Sequence, residues 1–156
     1  AITLGNRHLL FEVGDTQLIC RRLEAEFLDY KAAIPRSNPI SITASTKAMI
    51  ESIDRVGVVI SDKQKSPVRC IFKEDRVYMS AKTANGEAKD VCAVSGDGGG
   101  LEIGFNNRYL LDALKYAPAD QVRLELNTGI SPCIITPVEG EESFLYMVLP
   151  VRLKNS

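Results

Sequence analysis

The sequence predicts an α+β fold, a duplicated β-α-β-β-β unit whose two helices pack on antiparallel sheets. Two observations carry this. From Pro39 onward the apolar periodicity switches twice between alternation and helical spacing, in the same order each time. Turn-forming pairs rich in Gly, Asn and Asp then divide the remaining apolar runs into strands of ordinary length. Two such units bury their helices and sheet faces against each other and make one domain.

The first 35 residues follow the same grammar with a piece missing. Ile2 to Gly5, His8 to Val13 and Thr16 to Leu23 read as three strands, with turns at Gly5-Asn6 and Gly14-Asp15. They are expected either to close a unit whose own strand and helix lie outside the sequence, or to add to the sheet of the main domain. With no initiator Met at Ala1, the first alternative makes the chain a piece that begins mid-domain. Ile34-Pro35-Arg36-Ser37-Asn38-Pro39 reads as a linker, because two prolines and polar residues support neither helix nor ladder.

The first full unit opens with Ile40, Ile42 and Ala44 alternating as a short strand. Met49, Ile50, Ile53, Val56, Gly57 and Ile60 then lay one apolar stripe along a helix of about residues 46–60. Ser45 or Thr46 caps it by accepting from the first free amides. Strands follow over Val68 to Lys73, Arg76 to Thr83 and Glu87 to Ser95, with hairpin turns at Glu74-Asp75 and Asn85-Gly86.

After the loop Gly96-Asp97-Gly98-Gly99-Gly100 the order repeats. Leu101 and Ile103 form a strand, and Asn106 caps a second helix. That helix carries Tyr109, Leu110, Ala113 and Leu114 on one face and stops before Pro118. Gln121 to Asn127, Pro132 to Pro137 and Ser143 to Leu149 are the closing strands. Val122, Leu124 and Leu126 alternate with polar and charged neighbours, as a half-buried strand requires.

Composition bounds the function. Hydrophobic residues make up 45% and charged residues 25% of the chain, as in ordinary globular proteins. No apolar run approaches the roughly 20 residues needed to span a bilayer, and no signal-peptide pattern opens the chain. Net charge is −1, so the bulk balance asks for no polyanionic partner, although a local basic face is compatible with it. Cys20, Cys70, Cys92 and Cys133 are far apart, form no CxxC pair and sit in apolar stretches, which points to buried thiols in a reduced, cytoplasmic protein.

Enzyme chemistry finds no footing, and no metal or cofactor is called for. His8 is the only histidine and falls in a hairpin strand. Gly98-Gly99-Gly100 runs into Leu101 and Glu102, without the Lys-Ser/Thr that turns a glycine loop into a phosphate cradle.

Three segments carry a resemblance. They are Glu26-Phe27-Leu28-Asp29-Tyr30 with Ile34-Pro35, then Ile103-Gly104-Phe105-Asn106 with Tyr109-Leu110-Leu111-Asp112-Ala113-Leu114, and finally Tyr146-Met147-Val148-Leu149-Pro150-Val151-Arg152-Leu153. In order and spacing the chain resembles the C-terminal part of bacterial DNA sliding clamps, the β subunits of the replicative polymerase. The resemblance implies the DNA-clamp fold, with residues 1–35 as the closing strands of the second clamp domain plus linker, and 36–156 as the third domain. It also implies a non-catalytic processivity factor, a homodimeric ring around DNA that holds the polymerase, the clamp loader and other proteins through a short peptide.

On that resemblance, the peptide pocket falls on Leu28, Ala33, Asn106, Tyr109, Ile130, Pro132, Met147, Leu149 and Val151, with Ile130 and Pro132 in a strand. By alternation alone, Met147, Leu149 and Val151 read equally as plain core residues of the last strand, whereas a tail of large apolar groups at a strand end also suits an interface. DNA-facing cations would be Lys47 and Arg55 on the first helix and Arg108 and Lys115 on the second, the non-specific phosphate contacts a sliding ring needs. Acidic Glu51, Asp54 and Asp112 on the same helices equally suit a merely solvated face. Val59 and Ile60, at the end of the first helix, would meet the second copy in the ring.

Two departures stand out. Ala32 follows Lys31 where the family often has a second basic residue, and Lys154-Asn155-Ser156 extends past the usual terminal Leu. Because part of the pocket and the ring-closing domain would precede Ala1, the site is expected to be incomplete and the ring unable to close. The alternative from another class is a β-rich ligand-binding or assembly module. A module enclosing a ligand would need an apolar cavity and would gain support from helices packed on opposite faces, whereas a clamp needs them side by side on one concave face.

Overall fold

The computed structural model describes residues 1–61, 66–139 and 143–153. The chain divides into two compact units, Ala1–Ala33 and Ile34–Ser156, a boundary two residues before the expected one.

In the first unit β1 (Ile2–Leu4), β2 (His8–Val13) and β3 (Thr16–Arg21) form an antiparallel sheet of their own, in the order β1-β2-β3. They do not extend the sheet of the main domain, so that alternative falls. Gly14, at φ +58°, supplies the left-handed step of the β2–β3 turn. A single helical turn, α1 (Tyr30–Ala33), interrupts the stretch before the linker, with the Asp29 carboxylate accepting from the Ala32 amide at 3.3 Å.

The second unit follows the repeat. Its elements are β4 (Ile40–Ser45), α2 (Thr46–Gly57), β5 (Val68–Lys73), β6 (Arg76–Thr83) and β7 (Gly86–Ser95). Then come β8 (Leu101–Phe105), α3 (Asn107–Lys115), β9 (Gln121–Leu126), β10 (Cys133–Pro137), β11 (Tyr146–Val148) and β12 (Pro150–Val151). The opening strand of each repeat pairs with the other repeat. β4 lies along β9 from Ile40↔Leu126 to Ser45↔Gln121, and β8 lies along β5 from Phe105↔Val68 to Leu101↔Phe72. This exchange makes the two repeats one domain.

The strand order is β11-β10-β9-β4-β7-β6-β5-β8-β12. Strands β11 and β12 stand at opposite ends of that order, yet only Leu149 separates them. The sheet therefore curls until its ends meet. The expected single strand over Ser143 to Leu149 is corrected accordingly. Tyr146–Val148 pairs with β10, and Pro150–Val151 crosses to pair with β8. Pro150 forces the break, since it has no N–H for the β10 side and biases Leu149 before it.

Gly104 makes the β8–β12 approach possible, since a Cβ there would lie 2.6 Å from Leu153 Cδ2 and 2.7 Å from the Val151 oxygen. Gly104→Ala is expected to cost about 1–3 kcal/mol by overpacking. The readout is a lower urea midpoint at unchanged slope. An unaltered midpoint would mean that β12 does not seal the sheet.

Helix α2 is capped by Ser45, whose hydroxyl accepts from the Ala48 amide at 3.3 Å, while Thr46 donates instead to the Ala119 oxygen at 2.6 Å. It ends at Gly57 rather than 60, because glycine and the β-branched run Val58-Val59-Ile60 favour helix poorly. Val59 and Ile60 are thus not helical; they are half-buried against the core. In α3 the Asn106 cap holds, its carboxamide oxygen accepting from the Arg108 and Tyr109 amides at 3.0 and 3.4 Å. The expected common face divides: Leu110 and Leu114 are buried, but Tyr109 is 61% exposed and Ala113 half-buried. Adjacent residues on a helix point about 100° apart, so one pair enters the core and the other flanks it.

The hairpin at Glu74-Asp75 has both residues left-handed, at φ 53° and 55°, the mirror-image turn that suits strand twist. The next turn sits one residue earlier than expected. The pair Thr83↔Gly86 closes it around Ala84-Asn85, and Gly86 at φ +149° carries the chain back into β7.

The two helices run antiparallel and side by side. Gly57, at the end of α2, comes so close to the start of α3 that a Cβ would lie 3.3 Å from Asn107 Nδ2. At the other end, Lys47 and Ile50 of α2 share a groove with Leu114 and Lys115 of α3. The opposite-face packing that would favour a ligand-binding module does not occur.

Candidate functional site

Two surfaces of the second unit are candidates. The first is an apolar cavity of about 410 Å³ between α3 and the β11 edge, lined by Tyr109, Ala113, Leu145, Tyr146, Met147, Val148 and Leu149. Its exposed rim includes Tyr109 and Leu149, each 61% accessible. Tyr146 braces the wall. Its hydroxyl donates to the Tyr116 oxygen at 2.9 Å, just past the end of α3, and its ring stacks on Phe144 with centroids 5.0 Å apart. An open, largely apolar hollow of this kind suits large apolar side chains.

Of the nine expected pocket residues, Tyr109, Met147 and Leu149 line this cavity. Asn106 does not line it; its carboxamide oxygen caps α3, accepting from the Arg108 and Tyr109 amides. Val151 lies beyond the break, in β12. Ile130 and Pro132 are not in a strand: Ile130, 72% exposed, belongs to the turn that closes through Ser131 N to Thr128 O at 3.1 Å, and Pro132 follows it just before β10. Leu28 and Ala33 belong to the first unit; Leu28 is exposed and Ala33 ends α1. Four lining residues escaped the sequence pattern: Ala113, Leu145, Tyr146 and Val148. Ala113 was findable, four residues from Tyr109 on one helix stripe. The other three were hidden because an unbroken last strand would have given them other neighbours.

The second surface is the outer face of α2 and α3. Lys47 lies 4.0 Å from Glu51, and Lys115 of α3 lies 3.9 Å from Asp54 of α2, so acids temper the cations along the face. Arg108 is exposed. Arg55 is drawn aside to β7, where Nε and a terminal nitrogen each reach one Asp90 oxygen at 2.7 Å. Buried Ser52 donates to the same oxygen at 2.7 Å. Burial acts to raise the Asp90 pKa, but the bonds from Ser52, the Val91 amide and Arg55, with the Arg55 charge, outweigh it and hold the carboxyl below the usual range.

A depressed carboxyl stabilises the fold above its unfolded pKa and loses that contribution as pH falls through the folded value. Asp90→Ala is therefore expected to cost about 1–3 kcal/mol near neutrality, since it strands the Ser52 hydroxyl. The gap from wild type should narrow as the pH drops below about 3.9. Chemical denaturation at neutral and acid pH checks this, and a gap independent of pH would remove the ionised network as its cause.

All four cysteines are free. Burial pushes the Cys70 thiol up to about 12 and also raises Cys92 and Cys133, so none of the three is poised as a nucleophile. Cys20, in β3, is the exception to the expected burial, being half-buried. Among the described residues no cluster of His, Cys, Asp or Glu could hold a metal, and no helix is long and apolar enough to cross a membrane.

The family model described as the C-terminal domain of the DNA polymerase III beta subunit matches residues 31–152. The chain belongs to this family. Similar curated relatives include the beta sliding clamps of Synechocystis, 32% identical over 99% of this chain, and of Haemophilus influenzae, 28% identical over 97%. Among solved structures, the DNA polymerase III beta protein of Thermotoga maritima superposes with a TM-score of 0.81 at 30% identity, covering 98% of this chain and 41% of that one. That of Pseudomonas aeruginosa gives 0.84 at 27%, covering 97% and 42%. The chain spans about 40% of the length of the curated beta clamps it matches. The Lys154-Asn155-Ser156 extension lies outside the described residues.

Proposed function

We propose that this chain is the partner-binding end of a ring-forming sliding clamp, a non-catalytic processivity factor of bacterial replication. The observation that carries the reading is the antiparallel pair α2–α3 lying side by side across a duplicated unit, in a chain that matches the C-terminal domain of beta clamps. Residues 36–156 act as the third clamp domain, and residues 1–35 as the closing strands of the second together with the linker. The helix pair faces encircled DNA through Lys47, Arg108 and Lys115, while Arg55 is largely engaged with Asp90. Weak, non-specific phosphate contact suits a ring that must slide.

The cavity at Tyr109, Met147 and Leu149 receives apolar residues of a short peptide that also carries Gln, the means by which polymerase and clamp loader are held. Ile130, Pro132 and Val151 widen that pocket, with Asn106 acting through the α3 cap. Ala32, in place of a second basic residue, removes one polar contact to the peptide. Val59 and Ile60 contact the neighbouring copy in a homodimer, and the setting is the cytoplasm.

The test is retention on DNA of the protein at the length of its relatives, loaded by its cognate loader onto circles that are then cut. Retention on circles with loss from cut ends is expected, because linkage is topological. Equal retention on both means ordinary DNA binding, and no retention on either removes the clamp reading.

A further inference from the structure

We propose that Asn85 is a site of spontaneous main-chain modification, converting through a cyclic imide with Gly86 to iso-aspartate and aspartate. Asn85-Gly86 is the one Asn-Gly pair in the sequence. Both residues are exposed at the tip of the β6–β7 hairpin, and a Cβ at Gly86 would meet nothing within 4 Å. Glycine places no side chain beside its own nitrogen, so nothing blocks the approach of the Asn85 carboxamide from that side. The Thr83 hydroxyl accepts from the Asn85 main-chain amide at 3.1 Å, a bond that engages the backbone of the turn and not the Asn85 carboxamide.

The Gly86 nitrogen attacks Asn85 Cγ. A new C–N bond forms, the bond to Nδ2 breaks, and Nδ2 leaves as ammonia with the proton that Gly86 gives up. Water then opens the imide. Addition at the main-chain carbonyl carbon gives iso-aspartate, addition at Cγ gives aspartate, and in both the Gly86 nitrogen regains a proton from that water.

The structure contains its own control. Asp97-Gly98 is the sequence's one Asp-Gly pair, open to the same cyclisation, and the fold locks it. Asp97 Oδ1 accepts from the Gly99 and Glu74 amides at 2.8 and 3.2 Å, which holds the acid ionised, whereas ring closure needs it protonated. Gly98 is wedged against Phe72, whose oxygen would stand 2.7 Å from a Cβ. Those hydrogen bonds must break first, which slows conversion there by on the order of tenfold or more relative to the same Asp-Gly sequence in a free peptide.

Iso-aspartate inserts a methylene into a two-residue turn closed by Thr83↔Gly86. Along β7 only Val94 and Ser95 pair with β4, so residues 86–93 take their ladder from β6 alone. Modification at the tip therefore frays this edge.

The experiment incubates the 156-residue chain at mildly alkaline pH and follows the tryptic peptide of residues 83–89, cut after Lys82 and Lys89, by mass spectrometry. The peptide should divide into Asn, aspartate and iso-aspartate forms, with none of the new forms in Asn85→Gln, and Asp97 should change at least about tenfold more slowly than it does in a free peptide of its own sequence. The proposal is overturned if Asn85 stays intact while the free peptide of the same sequence converts, or if Asp97 converts as fast as its own free peptide.

Discussion

Leu114→Ala is expected to lower the unfolding free energy of the second unit by about 2–5 kcal/mol, the range for truncating a leucine in a close-packed site. Leu114 is fully buried, and with Leu110 it is what fixes α3 to the sheet. A domain of this size has about 5–15 kcal/mol in all, so the loss takes a large share of its stability. Urea unfolding followed by far-ultraviolet circular dichroism measures it. Leu114→Met, which conserves volume, should cost less than about 1.5 kcal/mol. If the two variants behave alike, α3 is not held by core packing and the cavity it borders has no fixed wall.

Tyr109→Ala is expected to weaken binding of a labelled Gln-containing apolar peptide by roughly thirtyfold or more, the effect of truncating an aromatic hot-spot side chain. Its stability should change little, because Tyr109 stands 61% exposed beside the cavity while its neighbour Leu110 carries the packing. Fluorescence polarisation, with the protein at its relatives' length, reads the affinity. A thermal melt of the same variant separates binding from folding. Met147→Ala should act in the same direction but costs some stability as well, since Met147 pairs with Ile134 in the β10–β11 ladder. Full affinity in Tyr109→Ala would place the peptide elsewhere on the molecule.

The two variants show how far a sequence can be read. Alternation and helical spacing are local properties, so β5 and β6 matched their expected bounds, and Asn106 was identifiable as a cap from its position before an apolar stripe. Helix α2 stops short of its apolar stripe for a local reason, Gly57 followed by three β-branched residues. Tyr109 and Leu110 are a different case. Both are large residues in one helical turn, and only the position of β11 decides which of them faces the core and which the cavity.

By itself the sequence determined the duplicated unit, its element order and the residues that cap and punctuate it, because these depend on neighbours a few positions away. Three matters were decided by the tertiary structure alone. Exchange of β4 and β8 between the repeats depends on pairing across tens of residues, which no local pattern encodes. Crossing of the last strand at Leu149 from one end of the sheet to the other depends on the sheet curling far enough for its ends to meet. Diversion of Arg55 from the helix face depends on β7 bringing Asp90 within 2.7 Å, where a hydrogen-bonded carboxylate outcompetes solvent for the guanidinium.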